Sequence, residues 1–190
     1  MLSMAKVPLS GEEKSIEYIW SWFEDQKEAL RDFRNKLWGL ITTSNIKDDH
    51  NFFSFTTDDI NDYFNNSEEE LEHLVCFDLI SATEAFLWVD FYQKVHRKDK
   101  SKLGKEFRII TKKKSKKVKG NISLEQDIIE SWKKIHYEKK DIFSNLLGIL
   151  NYRHWLAHGR YWKPKIGRQY TPEITYDIAE NIFNLIDDRN

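Results

Sequence analysis

The chain is poor in the residues that staple or interrupt a fold. Cys76 is the one cysteine among 190 residues, so neither an internal disulfide framework nor a thiolate zinc cluster is available within one chain, and a reducing, cytoplasmic setting is expected. Cys76 sits in an apolar stretch and reads as a buried core thiol. Three prolines and seven glycines are too few for a turn-rich all-β fold. With 40% apolar and 14% aromatic residues the chain is not of disordered composition either. These proportions predict an all-α protein, and the length suits a single domain over 1–190.

Long apolar runs are lacking too. Met1 to Lys14 holds no apolar core of signal-peptide length, which argues against secretion. The most apolar window, Leu74 to Tyr92, carries Asp78, Glu84 and Asp90, and uncompensated carboxylates in lipid cost roughly several kcal/mol. It reads as a core helix, with no membrane as partner.

A net charge of −1 hides a strong asymmetry. Between Lys94 and Lys119 lie 13 of the 30 basic residues and two of the 31 acids, Asp99 and Glu106, which leaves 17 bases against 29 acids elsewhere. Such a split marks either a surface for something anionic or a solvated mobile loop.

Apolar spacing and capping signals predict four helical blocks, or four to five helices in all. Ile16, Ile19, Trp20, Phe23, Leu30, Phe33, Leu37 and Ile41 recur at three- and four-residue steps, as one amphipathic helix from Glu12 to Ile41. Thr42 to Asn66 is polar and reads as a loop with one short helical turn. Ser67 with Glu70 forms a capping-box pattern that opens a second helix running to about Val95. Residues 98–120, rich in Lys, read as a mobile basic connection with a short extended piece at Phe107 to Thr111. Ser123 with Gln126 opens a third helix that continues to Gly159, and Thr171-Pro172-Glu173 opens a fourth.

The segment Asn151 to Trp162 brings two arginines, two histidines and four aromatics within twelve residues. Arginine offers a planar fork of donors that suits phosphate, and histidine changes charge near neutral pH, so the segment is equipped for phosphodiester chemistry without a metal. His154 and His158 have a spacing that suits zinc on one helical face, but no glutamate follows His154 and no cysteine lies nearby, so no metal site is assigned. Arg153 and His158 are five apart, about 140° around a regular helix, so they share a face only if the helix ends or distorts there. Trp155, Tyr161 and Trp162 are either base-stacking residues or core.

Arg153, His154 and His158, set late in a helical chain after a helix bearing Glu84, resemble the motif of the HEPN superfamily. This is a group of helical-bundle proteins that includes RNA-cleaving toxins and defence nucleases. The motif spans six residues, and the similarity of helix order extends over about Ser67 to Asp187. The resemblance implies an antiparallel bundle, a homodimer that completes a composite site across its axis, and metal-independent endoribonuclease activity without a cofactor. It also implies a toxin or phage-defence setting, with an antitoxin or other inhibitor as a further partner. In that reading His158 moves the proton, Arg153 stabilises phosphoryl charge, Glu84 holds Arg153 and His154 assists in orientation. Arg160, Tyr161 and the lysines Lys112, Lys113, Lys114, Lys116 and Lys117 would contact RNA. Family toxins modified by a nucleotidyltransferase carry a tyrosine two residues after the histidine. Arg160 stands there, which puts that control in doubt and leaves Tyr161 as the candidate. The alternative is a non-catalytic module of the same kind that binds RNA, a nucleotide or a protein.

Overall fold

The computed structural model describes residues 14–47, 50–116, 120–163 and 167–187, and all regular structure among them is helical. In chain order the helices are α1 (Ile16–Thr42), α2 (Thr57–His96), α3 (Lys102–Ser115), α4 (Glu130–Ile135), α5 (Lys140–Ala157) and α6 (Pro172–Asp187). A π-helical turn at Leu124–Ile129 precedes α4 and a 3-10 turn at Tyr137–Lys139 follows it. Six α-helices among the described residues replace the four to five expected. None is long and apolar enough to cross a membrane.

The 40-residue α2 is the axis of the molecule and packs against α1, α3, α5 and α6. Its start corrects the sequence reading. Thr56, not Ser67, is the N-cap: its hydroxyl accepts from the Asp59 amide at 3.2 Å, and the Asp59 carboxylate accepts from the Thr56 amide at 2.8 Å. The Thr56 hydroxyl also donates to the Asp59 carboxylate at 2.7 Å, and this bond, with the one from the Thr56 amide, holds the carboxyl below its ordinary range. Ser67 lies inside the helix and donates its hydroxyl to the Tyr63 carbonyl, the back-bonding that lets serine be carried mid-helix. The extra turns form because Ile60 and Phe64 bury themselves against Leu37 of α1 and Phe52, a gain that outweighs the poor helix propensity of Asn65 and Asn66. Phe33, expected inside, is 39% exposed and lies edge-on to Phe52 and Phe64.

The basic segment is helical over Lys102–Ser115, where a mobile connection with an extended piece at Phe107 to Thr111 was expected. Ser101 caps α3 by accepting from the Gly104 amide, and Leu103, Phe107 and Thr111 recur every four residues on its buried side. Phe107 meets Phe91 of α2 with ring centroids 4.8 Å apart. Lysine is a good helix former, so one narrow apolar stripe is enough to dock the helix. Lys117 lies outside the described residues.

The predicted third helix is broken in two. On a continuous helix Trp132 and Phe143 would be about 16 Å apart along the axis, yet their rings stack at 5.8 Å. Reversal at His136, where φ is −116° and ψ is 58°, brings both into the main core with Phe91 and Phe107. Ser123 caps the π-helical turn as expected, but the carboxylate that accepts from its amide belongs to Asp127 rather than residue 126. The fourth predicted helix is α6, with Ile178, Ile182 and Ile186 buried. Cys76 lies in the main core, and burial raises its thiol to about 11.

Candidate functional site

The Arg153 to Trp162 segment is shaped by the end of α5. His158 is the C-cap, the Gly159 amide donates to the Leu156 carbonyl and the Arg160 amide donates to the Trp155 carbonyl. This is the Schellman arrangement, and it requires a left-handed residue after the cap. Gly159, at φ +77°, supplies it, so the expected helix end is where the structure places it. Arg160 is left-handed as well, at φ +56°. The indole N–H of Trp155 donates to the Trp162 carbonyl at 2.7 Å and ties the turn back onto the helix. Further along, Tyr170 lies across α5 at Gly148, where a Cβ would stand 2.1 Å from its hydroxyl.

Arg153 faces α2. Its Nη2 lies 3.6 Å from Glu84 Oε2, its guanidinium sits over the Phe77 ring at 5.4 Å, and its Nε is enclosed without a hydrogen-bond partner. The pair is half-buried. Burial raises the Glu84 carboxyl above its ordinary value, Arg153 pulls it back and Glu125 pushes it up. Glu125 belongs to the π-helical turn, and Lys114 of α3 pairs with Asp127 of the same turn at 2.8 Å. The end of α3 therefore stands on the side of the molecule where Glu84 and Arg153 meet.

His154 and His158 occupy the outer face. Both are exposed, their ring centroids are 4.3 Å apart, and Trp162 lies 6.2 and 6.4 Å from them. No hydrogen bond or ion pair among the described residues links them to Arg153. The structure thus joins Arg153 with Glu84 and His154 with His158, as two groups on different sides of one helix end. The remaining candidates are spread out. Arg160 donates to Glu70 at 2.6 Å and meets His73 Nδ1 at 2.7 Å. Tyr161 is 83% exposed against Trp162. Trp155 stacks on Tyr152 and is partly covered by the core. Lys112, Lys113 and Lys116 are exposed on the last turns of α3, where Lys114 is held by Asp127.

His73 and Phe77 were not singled out by the sequence, and Glu70 only as the capping partner of Ser67. A signal was present: with Glu84 they fall within about 60° on one face of a helix, the face that α2 turns toward Arg153 and Arg160. Reading Ser67 as a helix start assigned Glu70 to a cap and hid that stripe.

The Glu84–Arg153 pair gives a pH-dependent expectation. A carboxyl held above its ordinary value in the folded state contributes stability that is complete below the ordinary value, 4.5, and is lost as pH rises through the raised one. Glu84→Gln removes that dependence. Urea unfolding of both proteins at pH 4 and pH 7 should show the wild type losing stability relative to Glu84→Gln at the higher pH, and the opposite trend contradicts the assignment.

In comparison with known proteins, the chain matches no protein family, no curated protein and no solved structure.

Proposed function

We propose that this chain is a metal-independent endoribonuclease of the HEPN type, active as a homodimer and placed by that resemblance in a toxin or phage-defence setting. The observation that carries the reading is the build of the motif's helix end. Arg153 is held from α2 by Glu84 and Phe77, while the Schellman turn leaves the His158 imidazole open to solvent beside His154. His158 takes the proton from a ribose 2′-hydroxyl as that oxygen attacks the adjacent phosphorus. The new 2′-O–P bond forms as the P–O5′ bond breaks, and a proton returns to the leaving oxygen, giving a 2′,3′-cyclic phosphate and a 5′-hydroxyl. Arg153 stabilises the charge on the phosphoryl oxygens, Glu84 positions Arg153, and His154 orients His158. Because Arg153 and His158 lie on different faces of one α5, the reaction would draw one group from each subunit across a two-fold axis. Lys112, Lys113 and Lys116, with Tyr161, would hold the RNA strand.

A second reading has its own support. The guanidinium of Arg153 is turned to α2 and its Nε is enclosed, as suits a structural ion pair in a non-catalytic module that binds RNA or a partner protein. Turnover separates the two. Purified protein incubated with RNA in EDTA should yield fragments with cyclic-phosphate ends. RNA that is bound and left whole contradicts the nuclease and favours the binding module.

A further inference from the structure

A cleft of about 570 Å³ opens where the end of α2, the start of α3 and the end of α4 meet. This volume lies in the range of small-molecule sites, about 300 to 1,000 Å³. No residue of the Arg153 to Trp162 segment lines it. Its floor holds a charged pair. Lys94 Nζ pairs with Asp90 across one helical turn, with side chains only 13% and 5% exposed, and Lys94 also lies over the Trp132 ring at 5.9 Å. The pair and the indole give the cleft a polar, ordered floor.

The mouth of the cleft is cationic. Arg97 and Lys102 line it, are exposed, and make no hydrogen bond or ion pair through their side chains among the described residues. Asp99, the carboxylate beside them, is already engaged: it accepts from the Ser101 amide and hydroxyl, and these bonds hold it below the ordinary carboxylate range. Ser101 caps the Gly104 amide and the Asp99 carboxylate lies against the same turn, so the helix start disfavours an anion and the side chains at the mouth are left to take one. Two cations, one of them a planar fork, outnumber the single Asp99 carboxylate at the mouth and suit a dianion better than a single carboxylate. Leu103 and Ile135 add an apolar wall.

We infer that this cleft binds a small organic phosphate, with the phosphoryl group on Arg97 and Lys102 and the apolar body against Leu103 and Ile135. The site is independent of the ribonuclease reading. Calorimetric titration of the full chain with phenyl phosphate, AMP, inorganic phosphate and succinate tests it, using wild type, Arg97→Ala/Lys102→Ala and Arg153→Ala. At least one of the two organic phosphates should bind more tightly than inorganic phosphate or succinate. Its affinity should fall at least tenfold in the double variant and stay unchanged in Arg153→Ala. Both replaced side chains are exposed, so the double variant should keep its helical circular dichroism. Failure of both organic phosphates to bind overturns the inference, as does equal binding of inorganic phosphate or succinate, binding that survives in the double variant, or loss in Arg153→Ala.

Discussion

Replacing His158 by alanine should lower RNA cleavage by about 10² to 10⁴-fold, the contribution of a positioned general acid or base, while leaving helical content unchanged. The side chain is exposed at the C-cap of α5 and its backbone hydrogen bonds do not involve the imidazole. Arg153→Ala should cost about 10² to 10³-fold, as for loss of one donor to a developing oxyanion. His154→Ala should cost less than either, because it acts through its neighbour. Full cleavage by purified His158→Ala protein removes the proton-transfer role and, with it, the mechanism.

Phe107→Ala should destabilise the fold by about 3 to 5 kcal/mol, the usual range for a buried phenyl ring cut back to a methyl group. Phe107 is fully buried between α3 and α2 and packs on Phe91. Lys112→Ala, about one and a half turns along on the exposed side, should change stability by no more than about 0.5 kcal/mol. Chemical unfolding of the two variants against wild type reads the difference. If residues 98–120 were a mobile connection, both changes would be close to neutral, so the comparison bears directly on whether the basic segment is a docked helix.

Helices with broad apolar faces and strong caps were legible in the sequence. Ile16, Ile19, Phe23 and Leu37 announced α1, and Thr171 with Pro172 announced α6. The helix end at Gly159 was legible as well, since few other residues take a left-handed conformation without strain. Three features were hidden by tertiary packing. The capping pattern at Ser67 obeyed local rules that burial of Ile60 and Phe64 overrode. The stripe Leu103, Phe107 and Thr111 was too narrow to stand out among lysines. The reversal at His136 carries neither glycine nor proline, and it exists because Trp132 and Phe143 pack on each other. At the site, the resemblance set Glu84 beside Arg153 and the two lie 3.6 Å apart, whereas the stripe by which Glu70 and His73 claim Arg160 was hidden by the capping pattern at Ser67.

In the proposed reaction Arg153 and His158 act on the same phosphate, although one chain presents them on separate faces at the end of α5. Groups that work as a unit show losses that do not multiply. Cleavage rates in EDTA should therefore be measured for Arg153→Ala, His158→Ala and the double variant. The expected result is a double variant no slower than the slower single variant, within about threefold. A double variant slowed by the product of the two single losses would show the residues acting independently and would contradict the shared site.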